Sequence, residues 1–406
     1  MKKPELLAPA GTLEKLYMAV HYGADAVYLG GKFFGLRAGA GNFTMAEIAE
    51  GIDFAHSRKV KVYVTINIFA HNADFKDLAA YLRLLDELQA DGIIVSDPGV
   101  FRLAKETVPD LPIHISTQAN NTNWSTALFW QELGAKRIIL ARELSLKEMA
   151  EIRRRTKIEL EAFVHGAMCI SYSGRCLLSN YLAGRNANKG DCAHPCRWKY
   201  QLVEEKRPGE YFPVEEDQRG TYVFNSKDLC LVEHIPALIR AGIRSFKIEG
   251  RMKSSYYLAT VVKVYREVID SYLADPKNFS FDPKWLEELE KVSHRHYTTG
   301  FAFKKPDEKD HRYETSAYVR NYDFIGVVLE YLPETGEMWV EQRNHMSVGD
   351  KIEILTPKGP FIPWEITAMK NDQGESIQHA PHPRQEVLMP APPGGVVPFS
   401  LLRRPR

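Results

Sequence analysis

The chain has 406 residues, 44% of them hydrophobic and 26% charged, with a formal net charge of +1. That length fits two or three domains, or one α/β barrel with an appendage, and the apolar share is enough for a large core. The near-zero charge excludes a whole-molecule attraction for nucleic acid, and no apolar run reaches the ~18 residues of a membrane span; MKKPELLAPAG at the N-terminus lacks the apolar core of a signal peptide, so a cytoplasmic protein with no membrane partner is expected.

In chain order, short apolar stretches alternate with helical patterns. The strands are expected at Glu5–Gly11, Ala26–Gly31, Lys61–Asn67, Gly92–Asp97, Ile113–Gln118, Arg137–Arg142, Glu159–Gly166 and Ser245–Arg251. Helical spacing is clear in TLEKLYMAVHYGA, in TMAEIAEGIDFAHSR with its Thr44/Glu47 capping pair, in DFKDLAAYLRLLDELQA and in SLKEMAEIRRRT. Continuous apolar strands separated by helices imply a parallel sheet covered by helices, and eight of them fit a closed (β/α)8 TIM-like barrel of the α/β class. Polar residues recur at the strand ends: Asn67, Asp97, Gln118, Arg142, His165, Glu249 and Arg251. Taken singly they mark where strands stop; as a set they converge on one mouth. The barrel is assigned to 1–315, with a cysteine-rich insertion at 166–244. SSYYLATVVKVYREVIDSYLADP and DPKWLEELEKVSHRHY read as two further helices. From about Ser316 the pattern alternates and turns at PETG and SVGD, predicting a small antiparallel β-barrel domain over 316–406.

All five cysteines fall in that insertion: Cys169, Cys176, Cys192, Cys196 and Cys230. In a reducing compartment clustered thiols point to metal rather than disulfides. The paired CxxC spacing of a zinc ribbon is absent, so the residues leave both a [4Fe–4S] cluster and zinc open. The bland alternative, buried unligated cysteines, predicts thiols scattered through both domains.

EAFVHGAMCISYSGRCLLS, residues 161–179, resembles the signature of the peptidase U32 family, the collagenase-like peptidases, as do the opening ELLAPAGTLEKLYMAVHYGADAVYLGG, CAHPCRWKY and FKIEGRMKSSYY. The resemblance covers essentially the whole chain. It implies more than peptidase activity: relatives install hydroxyl groups without molecular oxygen on tRNA uridine, ribosomal RNA cytidine or ubiquinone precursors. They carry iron–sulfur clusters, and prephenate is implicated in the RNA reactions. Length and terminal β-domain are most like the branch that 5-hydroxylates tRNA uridine. By that resemblance Cys169, Cys176, Cys192 and Cys230 hold the cluster, with Cys196 able to replace Cys192.

An anion site for a small dicarboxylate such as prephenate is expected in the mouth. Arg142, Lys247 and Arg251 would bind it, with Gln118, His165 and Glu249 alongside; Arg251, Glu249, His165 and Gln118 are the candidate catalytic groups. CRWKY interleaves Arg197 and Lys199 with Trp198 and Tyr200, the pairing that holds an unstacked base on RNA, though the aromatics fit a local core equally well. Arg403, Arg404 and Arg406 are candidate tRNA backbone contacts. A peptidase has little chemical support: HExxH and GxSxG are absent, and a Cys169–His165 nucleophile would leave the other cysteines unexplained. The histidines of SHRHY and HAPHP are expected in solvent, RRRTK as a solvated helix end, and GLRAGAGNFT as a loop over the mouth.

Overall fold

The computed structural model describes residues 3–32, 34, 42–168, 178–185, 193, 195, 202–203, 211–212, 215–217, 220–222, 227–304 and 319–406. All eight expected strands form. They are β1 (Glu5–Pro9), β2 (Ala26–Gly30), β3 (Lys61–Ile66), β4 (Gly92–Val95), β5 (Ile113–Ile115), β6 (Arg137–Ile139), β7 (Glu159–Ala167) and, later in the chain, β9 (Ser245–Ile248). Each pairs in parallel with the next, and β9 pairs with both β7 and β1, which closes the barrel. Buried on both faces, these strands are near-continuous apolar runs because helices cover the outside.

Helices α1 (Leu13–His21), α2 (Met45–His56), α3 (Phe75–Glu87) and α6 (Leu146–Arg155) match the helical patterns, and α2 and α6 start on capping boxes at Thr44 and Ser145. Two helices not singled out from the sequence, α4 (Pro98–Thr107) and α5 (Trp124–Glu132), complete the units after β4 and β5. Short α7 (Leu178–Ala183) and α8 (Ile235–Arg240) precede the long, mostly buried α9 (Ser255–Ala274). Helix α10 (Lys284–Glu290) is shorter than the pattern suggested, and His294 beyond it is buried rather than in solvent: its ring stacks on Tyr297 at 4.6 Å and its Nδ1 lies 2.8 Å from the Val292 carbonyl. His379 and His382 are exposed as expected.

The stretch between β7 and β9 is not all appendage. Strand β8 (Asp228–Cys230) joins the barrel sheet, running antiparallel to the tail of β7 with Cys230 opposite His165, and β10 (Tyr297–Thr298) pairs beside it.

The C-terminal part is an open antiparallel half-barrel. Its order is β14 (Ile362–Glu365), β13 (Lys351–Leu355), β18 (Leu401–Pro405), β11 (Tyr322–Leu332), β12 (Glu337–Gln342), β17 (Glu386–Pro390), β15 (Met369–Lys370), β16 (Ser376–Ile377). It has its own core around Ile325, Val340, Met389 and Leu402, while Val327, Leu355 and Leu401 pack into the barrel's core. Arg403, fully buried, pairs with Glu288 of α10 and Glu353 of β13. This corrects its assignment as a tRNA contact, since a side chain with no accessible surface cannot meet a phosphate. Arg404 and Arg406 pair with Asp350 and Asp323. Among the described residues no helix is long and apolar enough to cross a membrane.

Candidate active site

Strand β9 runs on into Glu249–Gly250–Arg251, and three glycines from neighbouring strand ends make room for that segment. A Cβ on Gly11 would lie 2.5 Å from the Arg251 carbonyl oxygen, and one on Gly166 (φ +111°) 2.4 Å from the Glu249 carbonyl oxygen. One on Gly30 would lie 2.8 and 3.0 Å from Nη2 and Nη1 of Arg251. The guanidinium of Arg251, 4% exposed, thus lies against bare backbone, and its Nη2 donates to Asn42 Oδ1 at 2.8 Å. Asn42 belongs to the glycine-rich stretch expected over the mouth; residues 35–41 lie outside the described residues.

Glu249 is also nearly buried. Its Oε2 lies 3.4 Å from the Tyr28 hydroxyl and 4.0 Å from Nη2 of Arg142. The Arg142 guanidinium sits 3.7 Å over the Phe163 ring. A carboxylate and two guanidiniums therefore share one end of the barrel, as the strand-end pattern predicts.

Lys247 lies deeper. Its Nζ donates to Glu161 Oε1 at 3.0 Å and sits 4.2 Å from the centre of the Tyr28 ring, with 5% of the residue exposed. The other oxygen of Glu161 accepts from Arg137 at 3.0 Å, and Arg137 also pairs with Glu5 and Glu159. Burial alone would raise the Glu161 carboxyl, but Lys247 and Arg137 outweigh it and hold it below its usual range. These ions neutralise one another, as a low-dielectric interior requires, although the buried Nε of Arg137 makes no hydrogen bond. The lysine expected to bind substrate is thus a link in an internal ion chain beneath the mouth. Glu161, Arg137 and Glu5 were missed as interior groups; the signal was a carboxylate inside an otherwise apolar strand, ELEAFVHG.

Uncharged polar side chains meet at the ends of β3, β4 and β5. Asn67, just past β3, donates from Nδ2 to Gln118 Oε1, past β5, at 2.7 Å. Ser96, past β4, donates its hydroxyl to the Asn67 carbonyl at 3.1 Å.

His165 does not join these groups. Strands β7 and β9 slip register between Lys247, opposite Phe163, and Ile248, opposite His165. The extra residue, Val164, turns the histidine to the other face of the sheet. Its ring packs among Tyr257, Tyr265 and Tyr297 at 5.9, 5.5 and 5.4 Å. Burial first, then the charges of Lys253 and His294, push it down to about 3, so it is a neutral imidazole. Cys230 meets the same cluster, its Sγ 3.9 Å from the Tyr265 hydroxyl. Burial pushes this thiol up to about 12. A thiol so desolvated keeps its proton and is no free nucleophile; it could serve a metal only by giving that proton up on binding. Cys169, Cys176, Cys192, Cys196, Arg197, Trp198, Lys199 and Tyr200 lie outside the described residues.

Residues 11–312 match peptidase family U32, and 320–403 match that family's C-terminal domain. The chain belongs to peptidase family U32. Within the curated proteins, U32 relatives include tRNA hydroxylation protein P1 of Bacillus subtilis, 45% identical over 95% of this chain and 91% of its own length. The tRNA hydroxylation protein P of Escherichia coli is 40% identical over 100% of this chain and 97% of its own. The 23S rRNA 5-hydroxycytidine C2501 synthase of the same bacterium is 36% identical over 67% of this chain and 40% of its own.

Proposed function

We propose that this U32 chain is an RNA-modifying enzyme of the cytoplasm that installs a hydroxyl group at the 5-position of uridine in tRNA, at the wobble base, without molecular oxygen. The observation that carries the reading is the likeness, over nearly the whole chain, to two proteins named for tRNA hydroxylation. The site is compatible with it. A splayed anticodon base enters a barrel mouth without the cost of opening a duplex. Arg142 and Arg251 suit the carboxylates of a small dicarboxylate co-substrate such as prephenate, because a guanidinium binds a carboxylate through two parallel hydrogen bonds. Trp198 or Tyr200 would stack on the base, with Arg197 and Lys199 on phosphate. Cys169, Cys176, Cys192 and Cys230 would hold a [4Fe–4S] cluster, with Cys196 able to stand in for Cys192. Such a cluster, when bound, supplies one-electron redox chemistry.

Nucleoside mass spectrometry of tRNA from a deletion strain tests the reading. Loss of 5-hydroxyuridine and its derivatives is expected. If they persist after parallel routes are blocked, and the purified protein cleaves a collagen-like peptide, the peptidase reading replaces this one.

A further inference from the structure

The U32 family contains an enzyme named for 5-hydroxycytidine as well as proteins named for tRNA hydroxylation. With uridine as the substrate proposed here, the 5-hydroxycytidine enzyme and this chain act on different bases, and residues at the site of each must choose between them. Here the mouth is divided. Arg142, Glu249 and Arg251, from the ends of β6 and β9, form a charged side. Asn67, Ser96 and Gln118, from the ends of β3, β4 and β5, bring uncharged polar groups together, while the neighbouring Asp97 is engaged in capping α4 through the Val100 amide at 3.0 Å. A neutral nucleobase edge matches the second side better than the first, since it offers hydrogen bonds and no charge to offset the desolvation of an ion.

We propose that the Asn67–Gln118 amide pair is the base-reading half of the site, with Gln118 Nε2 donating to the 4-carbonyl of uracil and thereby rejecting cytosine. This rests on the proposed function. Gln118 is a partly exposed residue on a short turn, Thr117–Ala119, whose start is tied down by Ser116 Oγ accepting from the Gln118 amide at 3.3 Å. Its Oε1 already accepts from Asn67 Nδ2 at 2.7 Å, and its NH2 is the donor the amide offers a ligand. Ser96 holds the Asn67 backbone at 3.1 Å, which fixes the pair across three consecutive strand ends. Uracil presents an oxygen acceptor at its 4-position and cytosine an amino donor. A fixed NH2 attracts the first and meets a second donor in the other. An independent observation lies in the same loop. Asn121 has no exposed surface, yet neither atom of its side-chain amide is hydrogen bonded, although its carbonyl accepts from Ala141 N at 3.2 Å. A native protein rarely leaves a buried amide unsatisfied unless a ligand or ordered water completes it.

The test uses full-length protein in a deletion strain complemented with each variant. The strain expresses two versions of one tRNA, with uridine or cytidine at the modified position. The readouts are 5-hydroxyuridine and 5-hydroxycytidine by mass spectrometry, with protein level and melting temperature checked for each variant. Wild type should favour uridine by at least ~10-fold, and Gln118→Ala should lower the uridine product ~10–100-fold, the range of one good base contact. Gln118→Glu, which only accepts, should raise the cytidine-to-uridine product ratio at least ~10-fold. Uridine product within about twofold of wild type in Gln118→Ala overturns the proposal, as does an equal loss on both bases, which marks Gln118 as support only. Wild type that modifies neither tRNA removes the proposed function itself, and this inference with it.

Discussion

Gly30 and the guanidinium of Arg251 are in contact across the barrel mouth: the backbone of β2 leaves the space that Nη1 and Nη2 fill, and a Cβ there would come within 3.0 Å of both. Gly30→Ala therefore pushes the guanidinium aside without touching charge. A misplacement of about 1 Å can cost ~10²-fold in rate, so the modification should fall by that order while the melting temperature stays near that of wild type. Intact tRNA modification in this variant would show that the position of Arg251 is immaterial.

Arg251→Ala should abolish the modification and leave the circular dichroism spectrum and iron content unchanged. Arg251→Lys should not rescue it, because an ammonium cannot reproduce the planar fork. Full activity in the alanine variant takes Arg251 out of the site.

Protein purified without oxygen should be brown and contain iron and acid-labile sulfide. Cys230→Ser should lose most of that iron, since a serine hydroxyl does not replace a thiolate ligand. Colourless protein binding one zinc through the same cysteines would falsify the cluster.

Arg403→Met should destabilise the protein by ~3–5 kcal/mol, the usual cost of leaving buried carboxylates without their partner. The effect should fade in acid. Burial raises the Glu288 carboxyl, but the hydrogen bond and charge of Arg403 outweigh it and hold its pKa below the ordinary 4.5. A depressed carboxylate contributes its stability above the unfolded pKa and loses it as pH falls through the folded one. Thermal melts between about pH 6 and pH 3 should show wild type losing more than the variant. Parallel curves would mean that the pair contributes nothing.

The barrel was legible because its strands are buried on both faces and so read as unbroken apolar runs between helices. Helix α5 was not, because Phe129 on its exposed side, with Leu133 just past its end, blurs the amphipathic stripe. The mouth was legible as a set of strand ends, and Glu249, Arg142 and Arg251 do gather there. His165 was placed in the mouth as a polar strand end, but the slip at Val164 turns it to the other face; Gly166 inside the strand was the one sign of a bulge. Arg403 looked like a basic tail since its partners, Glu288 and Glu353, are far from it in sequence. Lys247 looked like a ligand group for the same reason: Glu161 is its partner only after the barrel closes.

Beyond its pairing with β6, strand β7 carries two further ladders that meet near its C-terminal end. Its His165 carbonyl accepts from the Glu249 amide at 2.9 Å, and the same residue stands opposite Cys230 on β8. The segment bearing Glu249 and the strand bearing Cys230 are thus geared to a single residue. Long insertions can come and go in the loops on either side without altering the spacing between them. Deleting one residue within β7 would shift both gears together, so the length of this strand sets how the two segments stand to one another.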